Sequence, residues 1–209
     1  MLGAGVVTEY TTMESRSKAI STAVFNEDTL NALLSGLIRT QVWNKIFRAS
    51  LFDQIRFPNG RAYEDVLTTY KLLGFATVAG VQELSYHYIQ RNSSISQSYD
   101  IKNLEDYWIA HKQRYEDLKD KADNKLLLRS CASAISRCWV WYCGCEKNPE
   151  FVARLSSFTR EHFQIFGDRT WPLYLRLCVF IARFNNPVSF YSAYVMNKVY
   201  GVLKPKYFE

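Results

Sequence analysis

Three histidines, five cysteines and no apolar run of membrane-spanning length leave this 209-residue chain with few of the usual functional signposts. The cysteines, Cys131, Cys138, Cys143, Cys145 and Cys178, are odd in number in a chain too large to need staples. That excludes a disulfide framework and points to a reducing compartment, the cytosol by default. Cys143-Gly144-Cys145 has neither a second cysteine pair nor a histidine at metal-ligand spacing. Cys131, Ile135, Cys138, Trp139 and Tyr142 instead recur at helical intervals, so a buried helix face outweighs a metal site. The longest apolar tract near the C-terminus, Trp171 to Phe184, is broken by Arg176 and Arg183. It falls short of the roughly 20 residues needed to cross a bilayer. The start, Met1 to Thr12, lacks the basic opening and long apolar core of a signal peptide. There is no glycine-rich RNA-binding signature and no zinc-finger spacing, and the basic residues are spread from Arg16 to Lys206, so nucleic acid is not an expected partner.

What the chain does have is material for a core. At 48% hydrophobic and 22% charged it is too apolar to be disordered, and its length suits one domain or one domain with a helical appendage. A formal charge of +6 favours anionic partners such as a nucleotide diphosphate or an anionic membrane surface.

Along the chain, Gly5 to Tyr10 reads as a short strand and Thr11 to Lys18 as a loop. From Asn26, Glu27 and Asp28 favour a helix start, and Leu30, Leu33, Leu34, Leu37 and Ile38 fall on one helical face. Trp43 to Phe52 reads as helical or turn-rich, and Pro58 with Asn59-Gly60 imposes a loop. A helix is expected from Glu64, carrying Val66, Leu67, Tyr70, Leu72 and Leu73 and ending at Gly74. Thr77 to Tyr88, rich in β-branched and aromatic residues, reads as a strand. Beyond it, 103–121, 124–143, 149–166 and 171–198 all have helical spacing, punctuated by Gly144, Pro149, Gly167 and Pro187.

Glu64-Asp65 alone is an ordinary acidic pair at a helix start, where the helix dipole favours the charged forms. Its company gives it weight. Ahead of it stand Val42-Trp43-Asn44-Lys45 and Phe57-Pro58-Asn59-Gly60-Arg61, and after it comes Tyr86-His87-Tyr88-Ile89-Gln90-Arg91 ending in Ser94-Ile95. Lys45 and Arg61 read equally well as solvated surface charges, Asn44 as a turn-fixing residue and Trp43 as core. Alternation with two tyrosines on a strand leaves open which side of it His87 faces, and His111 and His162 read as ordinary residues of the helical tail.

In this order the motifs resemble the second half of a bacterial family 2 glycosyltransferase of the GT-A fold, over residues 42–95, about a quarter of the chain. The resemblance implies an α+β, mostly helical fold: residues 1–100 as the acceptor-side part of a GT-A-like domain with a partial sheet, and residues 101–209 as a C-terminal helical region. It implies inverting transfer from a nucleotide-diphosphate sugar to a polysaccharide or glycolipid acceptor. Asp65 stands at the position of the catalytic base, Glu64 and Trp43 at the acceptor, and Arg91, Lys45 and Arg61 at the departing diphosphate.

The family's nucleotide-binding half and its metal-holding Asp-x-Asp motif have no counterpart here; Glu9, Glu14, Glu27 and Asp28 are the only carboxylates before Trp43, and none forms that motif. The chain is therefore expected to start roughly a hundred residues late in the family's order. It is expected to bind no metal of its own, although Mg or Mn belongs to a complete member, and to be inactive alone. An uncovered sheet edge is expected to draw a second copy or a partner chain. Trp171, Tyr174, Leu175, Leu177, Phe180, Ile181 and Phe184, mixed with Arg169, Arg176 and Arg183, suit either an interfacial helix at the inner face of the plasma membrane or a packed bundle with solvated arginines. The competing function is a non-catalytic helical interaction module, or a subunit beside a complete transferase.

Overall fold

A computed structural model of the chain describes residues 29–76, 100–164, 168–185, 191–192 and 195, and the backbone of 2–9, 14–16, 24–25 and 78–89. The fold is α+β and mostly helical. In chain order the elements are β1 (Leu2–Glu9), β2 (Glu14–Arg16), β3 (Val24–Phe25), α1 (Thr29–Leu34), β4 (Lys45–Ile46), α2 (Glu64–Leu73), β5 (Val78–Ile89), α3 (Ile101–Leu118), α4 (Asn124–Tyr142), α5 (Pro149–His162) and α6 (Leu173–Ala182). They form two compact units: residues 1–98 with 110–127, and residues 99–109 with 128–209.

In the first unit the strands run in the order β2-β1-β5-β3, and β4 pairs with β1 on the β2 side. β1 and β5 are parallel, from Leu2 opposite Ala79 to Glu9 opposite Ile89, with register slips on either side of Gly5. β2, β3 and β4 are antiparallel to their neighbours. β3 covers only Val78 and Ala79, so Gly80–Ile89 meets no second strand among the described residues. β2 lies inside the polar run expected to be a loop; a short polar edge strand carries no apolar alternation to announce it.

α1 is six residues long, shorter than the apolar spacing predicts. Leu33, Leu34 and Ile38 are buried as expected, but Leu37 is exposed. Gly36 adopts φ +84°, a left-handed conformation that glycine takes without a Cβ penalty, and it turns the chain out of the helix. α2 matches its expected bounds, and Val66, Tyr70, Leu72 and Leu73 are buried. Its position is fixed by three side-chain bonds: Thr29 Oγ1 donates to the Leu73 carbonyl at 3.0 Å, Thr69 Oγ1 to the Thr40 carbonyl at 2.7 Å, and the Tyr70 hydroxyl to Asp117 at 2.5 Å. Burial pushes the Tyr70 hydroxyl pKa up, and its bond to Asp117 adds to this.

The second unit is helical. The face of α4 read from its spacing, Cys131, Ile135, Cys138, Trp139 and Tyr142, is buried, and all five cysteines are thiols. Burial raises the Cys138 thiol pKa well above its ordinary value, which makes it inert rather than reactive. Around this face Trp108 meets Phe158 edge-on with centroids 5.0 Å apart, and Tyr142 stacks on Phe151 at 5.9 Å. His162 stacks on Phe158 at 4.1 Å, an ordinary packing role.

α5 starts at Pro149, whose ring suits the first helical position, behind Asn148 as N-cap. Asn148 Oδ1 accepts from the Phe151 amide at 3.1 Å, and Asn148 Nδ2 donates to Glu105 at 3.2 Å. Asn148→Ala is therefore expected to cost about 1 kcal/mol, read as a lower midpoint in urea unfolding; an unchanged midpoint would show that the cap contributes nothing. Among the described residues no helix is long and apolar enough to cross a membrane.

Candidate functional site

The first unit brings the Trp-Asn-Lys turn and the acidic pair together. The chain turns at Trp43 and Asn44 and then enters the short strand β4, which starts at Lys45. Asn44 is buried, and its Oδ1 accepts from Lys45 Nζ at 2.7 Å; the same ammonium donates to the Gln41 carbonyl. Asn44 thus fixes the lysine as well as the turn. Lys45 is not the solvated surface charge that the sequence equally allowed. Its half-buried ammonium has lost enough water to bring its pKa down to about 8; Asp65 opposes that fall and Arg39 adds to it.

Between β4 and α2, Phe47 packs on Phe52 at 5.6 Å and Phe52 on Phe57 at 5.9 Å, just ahead of the Pro58-Asn59-Gly60 loop. Gly60 makes the turn at φ +72°; a Cβ there would meet nothing within 4 Å, so the backbone angle itself is what asks for glycine. Tyr63 follows as the N-cap of α2 at φ 61° and ψ 33°. It is the one left-handed residue other than glycine among those described, a conformation costing an L-residue about 1 kcal/mol. No side-chain cap closes this helix start from Tyr63. Asp65 does part of that work from inside the first turn, its Oδ1 accepting from the Val66 amide at 2.7 Å.

The helix start was expected to keep Asp65 readily ionised. The structure reverses the sign: burial raises the Asp65 carboxyl pKa above its ordinary value, the adjacent Glu64 charge raises it further, and the Val66 amide and Lys45 oppose both without overcoming them. Removing water from the carboxylate outweighs the amide hydrogen bond it accepts at the helix start. The result is a carboxylate of enhanced basicity near an ammonium of reduced basicity.

The remaining expected residues are placed as follows. Glu64 is half-buried beside Asp65, and Trp43 is half-buried in the turn next to Asn44. Arg61 is exposed in the turn leading into α2. Arg91 lies outside the described residues, and so does the proximity of Arg91 to Asp65; of His87 only the backbone, in β5, is described. Two participants were not legible in the sequence. Gln41 serves through its main-chain carbonyl, which no side-chain motif encodes, and its buried Oε1 finds no hydrogen-bond partner among the described residues. Arg39, which belongs to none of the motifs, enters because the fold carries it near Lys45.

Among the described residues no three His, Cys, Asp or Glu side chains are grouped to hold a metal. Compared with protein-family models, curated proteins and solved structures, the chain matches none.

Proposed function

We propose that the chain is the acceptor-side and C-terminal portion of a family 2 glycosyltransferase-like protein serving polysaccharide or glycolipid assembly. The observation that carries this reading is Asp65, half-buried in the first turn of α2 with its proton affinity raised by burial, within electrostatic reach of Lys45. In inverting transfer the carboxylate takes the proton of the acceptor hydroxyl as that oxygen attacks the anomeric carbon, and the bond from that carbon to the nucleotide diphosphate breaks. A more basic carboxylate takes the proton more readily. Lys45, with Arg61 and Arg91, balances the charge that collects on the diphosphate. Glu64 holds the acceptor by a hydrogen bond, and Trp43 offers it a stacking face. The strained Tyr63 backbone ahead of the pair supports the reading, because such strain collects where geometry serves function. The isolated chain is proposed to be inactive, located in the cytoplasm and peripheral at the inner face of the plasma membrane.

Asp65→Asn separates this reading from a structural one. Asparagine keeps an oxygen for the Val66 amide and removes the buried charge. A carboxyl pKa raised by folding means that the charged form disfavours the fold above the unfolded pKa, so the variant is expected to melt higher than the parent at neutral pH. In the same protein, isotope-labelled and titrated with neutral oligosaccharides, resonances from Trp43 to Asp65 are expected to shift, and Trp43→Ala to weaken that binding about tenfold. No response to any glycan would sink the acceptor assignment, and sugar transfer by the purified chain would overturn its inactivity.

A second reading, an interaction subunit, draws on Leu37, Ile46 and Phe75, which are 58%, 70% and 78% exposed on the first unit. It predicts self-association or capture of a partner chain, and a monodisperse monomer in light scattering at high concentration counts against it.

A further inference from the structure

Helix α6 carries two apolar faces where a helix packed on one side needs one. Leu175, Cys178, Val179 and Ala182 are buried, and α6 packs in the second unit alongside α5. Leu173, Leu177, Phe180 and Phe184 follow at intervals of four, three and four residues, which places them on one stripe. Leu173 is 65% exposed, Leu177 40% and Phe184 43%, with Tyr174 exposed beside them. The structure thereby divides residues that the sequence offered as one interfacial set: Trp171 and Leu175 belong to the core, and Leu173 joins the outer stripe.

Along the sequence the run from Arg169 to Phe208 is basic, with Arg169, Arg176, Arg183, Lys198, Lys204 and Lys206 and no aspartate or glutamate, and Asp168 and Glu209 flank it. Arg183 is a structural anchor: its guanidinium donates to the Phe163 carbonyl, and its own carbonyl accepts from Arg160 Nη1 at 2.9 Å. Arg169 is exposed and Arg176 partly so.

We propose that the outer face of α6, Leu173, Tyr174, Leu177 and Phe184 with Arg169 and Arg176, docks on an anionic lipid bilayer. The apolar side chains enter the boundary between headgroups and acyl chains, and the two guanidinium groups meet lipid phosphates. A second copy of the chain fits this face less well, since pairing like with like would set one basic segment against another. An anionic bilayer accepts the apolar stripe and the cations together. This assigns a surface to the peripheral location proposed above and does not depend on sugar transfer.

The test is flotation of the full chain with vesicles of phosphatidylglycerol and phosphatidylcholine, against phosphatidylcholine alone. The protein is expected to float with the anionic vesicles and to stay behind with the neutral ones. Leu173→Ser with Leu177→Ser is expected to lower the bound fraction at least about tenfold, with an unchanged circular dichroism spectrum because both positions are exposed. Arg169→Gln and Arg176→Gln are each expected to lower it about fivefold, a second pair of variants that leaves the apolar stripe intact. Leu37→Ser and Phe75→Ser, exposed apolar positions in the first unit, are expected to change nothing. Absence of flotation with anionic vesicles, equal binding to neutral ones, or flotation indifferent to the Leu173 and Leu177 substitutions would each overturn the proposal. None of those results touches the glycan titration at Asp65, so the two readings fail separately.

Discussion

Trp139→Ala is expected to destabilise the protein by about 3–5 kcal/mol. Trp139 is 2% exposed on the buried face of α4, flanked along that face by Ile135, Cys138 and Tyr142, each of them 2% exposed or less. Truncation removes the largest side chain of that face and leaves a void that rigid neighbours close only in part, so the lost transfer energy and the cavity add. Against a typical domain stability of about 5–15 kcal/mol, such a loss takes a large share. Leu177→Ala provides the contrast. Leu177 sits on the outer stripe of α6 at 40% exposure, and its truncation is expected to change stability by less than about 0.5 kcal/mol. Unfolding by urea, followed by tryptophan-independent far-ultraviolet circular dichroism, measures both. A Trp139 loss below about 1.5 kcal/mol would mean that the α4 face is not the core of its unit. A comparable Leu177 loss would mean that the outer stripe of α6 is packed, and would remove the surface offered to a bilayer.

The same two positions show what the sequence could and could not reveal. Trp139 belongs to a period of three and four with Cys131, Ile135, Cys138 and Tyr142, and periodicity reports a buried face directly. Leu177 has apolar neighbours on every side of its helix, so spacing cannot decide which stripe faces the core; only packing against α5 does. α2 was legible because an acidic pair, apolar positions at helical intervals and a terminal glycine agree on one element. α1 was overextended because Leu37 and Ile38 continue the pattern, while the left-handed turn at Gly36 overrides it.

At the candidate site, residue types were readable and environments were not. A helix-start carboxylate is ordinarily stabilised as the anion, and Asp65 departs from that rule because the fold buries it, which its neighbours in the sequence do not announce. The left-handed Tyr63 carries no signal at all, since tyrosine is an unusual choice for such a backbone. Arg39 and the Gln41 carbonyl reach Lys45 through the fold alone.

Lys45→Met is expected to change the pH dependence of stability more than any other single substitution at the site. The Lys45 ammonium is held at a pKa of about 8 in the folded chain against 10.5 for an ordinary lysine. Between those values the unfolded chain holds more protons than the folded one, so the lysine's contribution to stability rises with pH. The cost of keeping a charged ammonium in this half-buried place is fully present below about pH 8 and disappears as pH passes 10.5. At about 1.4 kcal/mol per pH unit, the gain across the window approaches 3 kcal/mol. The stability of the parent minus that of Lys45→Met, measured from pH 7 to 10.5, is therefore expected to climb by up to about 3 kcal/mol in the parent's favour, whereas groups common to both proteins cancel. A flat difference would place Lys45 in solvent with an ordinary pKa and detach it from Asp65. The same energetics give the lysine its use. At neutral pH it remains cationic but poorly compensated, and an anion arriving beside it would restore the attraction that burial withdrew. Inorganic pyrophosphate is accordingly expected to stabilise the parent and to move its rise in stability toward higher pH, and to do neither in Lys45→Met, which would show the cation waiting for a phosphate rather than merely tolerated in the fold.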